Sequence, residues 1–203
     1  MEPVTVHMPG YRVQEYTLVL SPHEDLRQRI AGLREDFSSK FQHPSSKQLK
    51  PYISLVRFST WEMMEEKITQ SLQIIAMGMM PFKVELKDFG SLPSHTLFIN
   101  VVSRVPVLHL VKELKQAQRI MKMKAGDKPH FMEDPYIPLA VRLKPWQYEQ
   151  SWADYSNRQF TARFIADHML LLKKSTGHAW QIVRRFEFQN LPVTTRQGSL
   201  FNQ

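Results

Sequence analysis

Cysteine is absent from this chain of 203 residues, and several other sequence features are missing as well. Without cysteine there can be no disulfide, no thiol nucleophile and no thiolate metal site. No segment reaches 18 consecutive apolar residues, so we expect no membrane span. The first residues lack the basic-then-apolar order of a signal peptide, and we therefore expect a cytoplasmic protein.

What is present is the composition of a globular protein with a basic surface. Hydrophobic residues make up 42% and charged residues 23% of the chain, which is typical of a folded domain. The net charge is +8, which favours association with phosphates and nucleic acid but also suits an ordinary basic surface. The same two readings apply to the basic face of the helix predicted over 105–124, formed by Lys112, Lys115, Arg119, Lys122 and Lys124.

Hydrophobic periodicity predicts strands and helices that alternate along the chain. We expect one domain over 15–190 with two similar lobes, a lead-in over 1–14 and a tail over 191–203. The predicted strands cover 16–20, 52–58, 82–86, 96–102, 136–143, 164–172 and 180–188, the last two as a hairpin. Two predicted helices begin at the caps Ser21 and Ser59, and two others cover 105–124 and 144–155. A turn is predicted around Gly90 and a loop over 125–135.

A Pro-Tyr-Ile-x-Leu pentapeptide occurs twice, at residues 51–55 and again at 135–139. Each copy stands where a strand is predicted to begin. Because side chains alternate along a strand, Tyr52 and Ser54 should share one face while Ile53 and Leu55 take the other. The repeat therefore indicates two related halves that face one site.

These two motifs and the order of elements around them resemble the 2H phosphoesterase superfamily, and in particular the 2′-5′ RNA ligase family, over roughly residues 15–189. The resemblance implies an α+β fold that is bilobal and pseudo-symmetric, with two antiparallel-rich sheets around a central cleft and helices outside. It implies a His-x-Thr or His-x-Ser motif in each lobe, often within Pro-His-Ile-Thr-Leu. It also implies action on 2′,3′-cyclic phosphates or 2′-5′ linkages without a metal or another cofactor.

The chain departs from the family at the positions that carry this chemistry. Tyr52 and Tyr136 stand where the resemblance implies histidine, and Pro138 stands in place of threonine, while Ser54 keeps its hydroxyl. A histidine pair can accept and donate protons at neutral pH. A phenol is a poor base at that pH, although it can still donate a hydrogen bond or a proton. Tyr52, Ser54 and Tyr136 are therefore the predicted positions of a degenerate catalytic site.

Four further residues are candidates for substrate binding. Arg57 and Arg142 follow the two motifs, and a guanidinium suits phosphate because it donates two hydrogen bonds at once. Regular alternation would put Arg142 on the face of Tyr136, and would put Arg57 opposite Ser54 unless a bulge intervenes. His43 and His130 precede the two motif strands and could replace the missing histidines, or be ordinary surface residues.

Three functions follow from these expectations. The first is a divergent family member that binds an RNA end or a nucleotide phosphate in the cleft, with weak or no cyclic phosphodiesterase activity. The second is an active phosphodiesterase that uses tyrosine with His43 or His130. The third is a protein-interaction domain that retains only the scaffold. We expect a monomer that binds neither metal nor membrane.

Overall fold

The computed structural model describes residues 11–93, 95–122, 128–175 and 179–191. Within these ranges the chain forms nine strands and four α-helices. The strands are β1 (Val13–Leu20), β2 (Ile53–Trp61), β3 (Phe82–Leu92), β4 (Thr96–Val101), β5 (His130–Phe131), β6 (Tyr136–Ala140), β7 (Thr161–Ala166), β8 (His168–Lys174) and β9 (Gln181–Glu187). The helices are α1 (Glu24–Lys40), α2 (Glu65–Gly78), α3 (Arg104–Leu114) and α4 (Pro145–Tyr155). None of these helices combines the length and apolar content needed to cross a bilayer.

The strands form two antiparallel sheets, each of which contains one copy of the repeated motif. The five-stranded sheet has the order β5-β2-β1-β8-β9, and the four-stranded sheet has the order β6-β4-β3-β7. Motif strand β2 belongs to the first sheet and motif strand β6 to the second, and these two strands lie in contact. The predicted α+β fold with two antiparallel sheets is confirmed.

Side chains in both motif strands alternate between the core and the opposite face. One set is fully buried within a single core cluster that receives residues from both sheets, and the other set is partly exposed. Full burial of a Leu or Ile side chain favours folding by about 1.5–3 kcal/mol, which fixes the orientation of each strand. The buried set is Ile53, Leu55, Ile137 and Leu139, and the partly exposed set is Tyr52, Ser54, Tyr136 and Pro138.

A β-bulge at Leu55 interrupts the pairing of β2 with β1. On one side of the bulge Ser54 lies opposite Val19, and on the other side Arg57 lies opposite Thr17. Val19 and Thr17 are two positions apart on β1 and point to the same face. Because directly opposed residues share a face, the bulge brings Arg57 onto the face of Ser54, which regular alternation would have prevented.

Buried Arg34 of α1 ties the approaches to the two motif strands together. Its side chain is only 1% exposed, and its guanidinium donates hydrogen bonds to the carbonyls of Leu49 at 2.7 Å and Lys50 at 3.3 Å. It also donates to the carbonyl of Pro138 in β6. Burial lowers the pKa of Arg34 to about 10.

Two of the predicted helix caps are wrong. α1 begins at Glu24 rather than directly after Ser21. The predicted cap at Ser59 lies inside β2, which extends to Trp61 because it pairs with β1 as far as that residue. The ladder with β1 thus outweighs the local preference of Ser59 for a cap, since tertiary pairing overrides local propensity.

The predicted strand 164–172 is two strands that belong to different sheets. β7 pairs with β3 in the four-stranded sheet, and β8 pairs with β1 and β9 in the five-stranded sheet. The exposed Asp167 separates them. The pairing of the last two strands is confirmed, while residues 176–178 at the predicted turn lie outside the described residues.

Other boundaries differ from the prediction as well. Gly90 does not form a turn but lies within β3, opposite Phe98 of β4. α3 is shorter than predicted, and the predicted loop over 125–135 contains β5. β1 begins at Val13, three residues before the predicted start of this strand. Residues 1–10, 123–127 and 192–203, which include most of the predicted lead-in and tail, lie outside the described residues.

Candidate functional site

A cleft of about 720 Å³ opens beside the second motif strand and will be called the Tyr136 cleft. It lies where β4 and β6 of the four-stranded sheet approach β5 of the other sheet and the beginning of α3. The cleft therefore collects side chains from both sheets. Those that matter for its chemistry are Phe98, Asn100, Arg104, Lys115, His130 and Tyr136.

One wall of the Tyr136 cleft is aromatic. The rings of Phe98 and Tyr136 pack against each other with their centroids 4.8 Å apart and their planes tilted by 39°. Phe98 and Asn100 alternate on β4, and Asn100 pairs directly with Tyr136 across β4 and β6. All three side chains consequently share one face of the sheet.

A second depression, of about 270 Å³, adjoins the first and will be called the Arg57 depression. Its lining includes Glu15, Arg57 and Lys128, and it shares His130 with the Tyr136 cleft. His130 lies directly opposite Arg57 in the pairing of β5 with β2. This register places an imidazole and a guanidinium on one sheet face, at the border between the two depressions.

The cations around this border differ in how strongly they are neutralised. Arg104 forms an ion pair with Asp134, and Arg57 lies 3.8 Å from a carboxylate oxygen of Glu15, at the long end of ion-pair geometry. Lys115 lies 5.9 Å from the centre of the Phe131 ring. No carboxylate of the described residues comes within ion-pair distance of Lys115, so its charge is available to an anion in the cleft.

The first motif contributes to neither of the two depressions. Tyr52 packs in a small apolar cluster with Val19, Leu170, Leu172 and Trp180. The Tyr52 ring therefore contributes to packing on the five-stranded sheet, and this holds whether or not Tyr52 takes part in a reaction.

Ser54 also lies outside the lining of both depressions. Its hydroxyl oxygen is 3.5 Å from that of Thr17. Of the three predicted degenerate catalytic positions, only Tyr136 therefore lines the cleft, and a catalytic role for Tyr52 and Ser54 stays a prediction.

Two predicted binding residues take other positions. β6 ends at Ala140, and Arg142 is exposed with a left-handed φ of 56°, so the regular strand that would align it with Tyr136 does not exist. His43 is buried, packs edge-on against Phe37, and lies with its Nε2 3.2 Å from the Ser45 hydroxyl. Burial lowers the pKa of His43. Neither Arg142 nor His43 lines the two depressions.

Sequence reasoning missed Phe98, Asn100 and Arg104 as parts of the cleft. The available signal was the alternation of β4, which puts Phe98 and Asn100 on one face, but nothing in the sequence shows that β4 pairs with β6. Lys115 was noticed only as one member of a basic helix face. Register between distant strands decides which of these residues meet, and a single sequence does not contain it.

The described part of the chain holds one group with metal-ligating spacing, formed by Asp167, His168 and Glu187. Asp167 and His168 contact each other, and Glu187 is ion-paired with Arg185. Both acidic groups are exposed, and the arginine competes with any cation for Glu187. This group lies outside the lining of the two depressions.

Comparison with known structures shows what the chain is similar to. E. coli LigT complexed with 3′-AMP has a TM-score of 0.61 and 14% identity, with 87% of this chain and 99% of that chain covered. TT0787 of Thermus thermophilus has a TM-score of 0.57 and 14% identity, with 86% and 98% covered. E. coli LigT complexed with NADP+ has a TM-score of 0.55 and 13% identity, with 86% and 97% covered. At these identities the similarity shows the fold alone.

No curated protein matches the chain. A family model for the 2′-5′ RNA ligase superfamily does match, over residues 22–178, a segment that includes both motif strands. This match confirms the family resemblance that the two Pro-Tyr-Ile-x-Leu motifs indicate. The chain belongs to the 2′-5′ RNA ligase superfamily and has the fold of the LigT-like 2H phosphoesterases.

Proposed function

We propose that the protein binds an RNA end or a nucleotide phosphate in the Tyr136 cleft, with weak or no cyclic phosphodiesterase activity. The observation that carries this proposal is the position of His130, which lines the cleft with Tyr136 and lies directly opposite Arg57. An imidazole and a guanidinium side by side, next to an aromatic wall, suit a phosphate attached to a base. Family relatives support the proposal, since LigT has been crystallised with 3′-AMP, ATP, NADP+ and phosphate.

Weak hydrolysis follows from the groups that surround the proposed phosphate. In-line cleavage needs one group that accepts a proton and another that donates one, and each contributes roughly 10²–10⁴ in rate. The cleft offers a phenol from Tyr136 and a single imidazole from His130, whereas the second motif has Pro138 in place of a hydroxyl. One imidazole can serve as base or as acid, but the described residues that line the cleft do not include the opposed pair of histidines that the family resemblance implies.

An active enzyme of altered mechanism is the second candidate, and one observation favours it over a pure binding role. His130 and Tyr136 line the same cleft, so an imidazole base and a phenol acid could act on one substrate there. His43 is a poor candidate for the base, because it is buried against Phe37.

Two assays on the full chain test the proposal. Isothermal titration with 3′-AMP measures binding, and turnover of an oligoribonucleotide that ends in a 2′,3′-cyclic phosphate measures hydrolysis. We expect binding without appreciable turnover, and about tenfold weaker binding for Arg57→Ala, because charge-assisted hydrogen bonds contribute roughly 1.5–3 kcal/mol. His109→Ala, at an exposed position of α3 outside both depressions, is the matched control for His130→Ala.

The outcomes separate the three candidate functions. Turnover that His130→Ala abolishes and His109→Ala preserves would establish the enzyme of altered mechanism. Absence of 3′-AMP binding at low salt, by the native protein as well as the variants, would overturn the binding proposal and favour a scaffold that serves protein interactions.

A further inference from the structure

The aromatic wall of the Tyr136 cleft is built on a position where β3 has no side chain. Gly90 of β3 lies opposite Phe98 of β4. A Cβ atom at residue 90 would lie 2.6 Å from two atoms of the Phe98 ring and 2.7 Å from Oδ1 of Asn100. Any other residue at this position would displace both side chains, so the absence of a Cβ lets the ring and the amide lie side by side over the β3 backbone.

Asn100 is the polar side chain beside the aromatic wall of the Tyr136 cleft. Its amide makes no hydrogen bond with any other of the described residues, although it lies opposite Tyr136 and beside Phe98 on a half-buried face. A primary amide carries donors and an acceptor next to each other. An unpaired amide that is held beside two aromatic rings in a cleft is a suitable partner for the polar edge of a flat heterocycle.

The basic side chains near the cleft lie around these residues. Lys115 and His130 line the same cleft, and Arg57 is next to His130 across the strand pair. One cleft thus offers an aromatic surface, a free amide and positive charge. These are the groups that proteins use to recognise unstacked nucleotides, where bases stack on aromatic rings and pair through their edges.

We propose that Phe98, Asn100 and Tyr136 form a nucleobase subsite, in which the base stacks against the rings and Asn100 pairs with its edge. The proposal rests on the proposed function and adds a preference for the base. An asparagine amide matches the adjacent donor and acceptor of adenine in a bidentate pair. The preferred ligand is therefore an adenine nucleotide rather than a phosphate of any kind.

The test compares ligands that share a phosphate and differ in the base. AMP, UMP and ribose 5-phosphate are titrated into the full-length protein. Base stacking contributes roughly 1–3 kcal/mol, so we expect AMP to bind about 5- to 150-fold more tightly than ribose 5-phosphate. UMP should lie between them.

Substitutions then locate the preference. Asn100→Ala and Phe98→Leu should each reduce the AMP preference severalfold and leave ribose 5-phosphate affinity unchanged. Gly90→Ala should do the same by displacing both side chains, and Asn100→Ala provides the test if Gly90→Ala fails to fold. Asn157→Ala, in an exposed loop after α4, is the matched control and should change neither affinity.

The possible results distinguish this proposal from the proposed function on which it rests. Equal binding of AMP and ribose 5-phosphate would overturn the base subsite and leave the phosphate site intact. A preference for AMP that survives Asn100→Ala and Phe98→Leu would also overturn the assignment to these residues. Binding of none of the three ligands would overturn both proposals together.

Discussion

At the scale of single residues, the fold depends on the buried charge of Arg34, which has no carboxylate partner among the described residues. Arg34 satisfies backbone carbonyls on the approach to β2 and within β6, and it does so from a helix that also packs on the core. Burying a charge is costly unless hydrogen bonds compensate for the lost water. The carbonyls of Leu49, Lys50 and Pro138 provide that compensation here, so Arg34 fixes the separation of the two motif segments.

Replacement of Arg34 by methionine should destabilise the protein by about 2–4 kcal/mol, because it leaves these carbonyls without their donor. Arg27→Met on the same helix is the control, since Arg27 makes a surface ion pair with Glu24 and one long hydrogen bond of 3.4 Å to the Ser21 hydroxyl, and should cost less than about 1 kcal/mol. Urea denaturation measures both values. Similar costs for the two variants would show that Arg34 does not hold the motif segments together.

Buried tyrosines should make the protein sensitive to alkali. Burial raises the pKa of Tyr155 to about 12, and burial together with a hydrogen bond to Glu65 raises the pKa of Tyr16. In the unfolded chain both phenols lose their protons near pH 10, so above that pH the unfolded state binds fewer protons than the folded one. The free energy of unfolding should therefore fall as the pH rises from about 10 to 12.

Tyr155→Phe should reduce the steepness of this fall, because it removes one of the groups that the folded state keeps protonated. Tyr11→Phe, at an exposed position, is the matched control and should keep the native slope. The measurement is urea unfolding at several pH values between 8 and 11. An unchanged slope for Tyr155→Phe would contradict the assignment.

Sequence reasoning at this scale succeeded where the residue type itself carries the information. It identified the repeated motif, the alternation of Tyr52 and Ser54 against Ile53 and Leu55, and the condition under which Arg57 would join them. It could not identify Arg34, because an arginine in an apolar stripe is normally read as a solvated residue. Its carbonyl partners come from segments distant in sequence, and only the folded structure brings them to one point.

At the scale of secondary-structure elements, bulges decide which side chains meet. The bulge at Leu55 turns Arg57 toward the face of Ser54 and so places it next to His130. A second irregularity lies in β3, between Leu86 and Phe89, where Asp88 has a left-handed φ of 55°. Bulges bend a strand and re-aim its side chains, and a hydrophobic pattern does not reveal them.

The bulge in β3 is held by a reciprocal pair of hydrogen bonds. The Asp88 amide donates to the Phe160 carbonyl at 2.7 Å, and the Phe160 amide donates to Asp88 Oδ1 at 3.1 Å. Asp88→Ala should cost about 1–2 kcal/mol, since it removes one bond and puts an alanine in a left-handed conformation. Asp88→Asn keeps an acceptor and tolerates that conformation, so it should stay within about 0.5 kcal/mol of the native protein.

Thermal unfolding of the two Asp88 variants checks this expectation. Equal melting temperatures for Asp88→Ala and the native protein would show that the strand does not need the side-chain bond.

The existence of strands and helices was largely predictable, and α4 was predicted to within one residue of its observed start. Their ends were not, because Ser59 and Gly90 have strong local preferences that the neighbouring strands override.

At the scale of the whole molecule, the net charge of +8 should make nucleic-acid binding depend on salt. Each phosphate contact that a cation makes adds roughly one unit to the slope of the logarithm of affinity against the logarithm of salt. We expect a negative slope for a short oligoribonucleotide. For Arg57→Ala the slope should be less steep, with a magnitude smaller by about one unit. Lys40→Ala is the control, because Lys40 is ion-paired with Asp154 at 2.8 Å and lies outside both depressions.

Fluorescence anisotropy at several salt concentrations measures these slopes. Parallel slopes for the native protein and Arg57→Ala would mean that this guanidinium does not contact phosphate.

The sign of the charge and the family could be predicted from the sequence, and the cleft was expected from the family. Its lining was not, because Asn100 and His130 reach it only through pairings between strands that lie far apart in the chain.

The strand order of the five-stranded sheet has a consequence for folding of the chain during its synthesis on the ribosome. β1 lies between β2 and β8, and β8 begins about 150 residues after β1 ends. At about 5–20 residues per second, the nascent chain exposes one unpaired edge of β1 for roughly 7–30 s before its second neighbour is made. An open edge of apolar residues is a template for association with other chains. The time between these two strands, rather than the stability of the finished fold, therefore sets how much help this protein needs from chaperones as it is made.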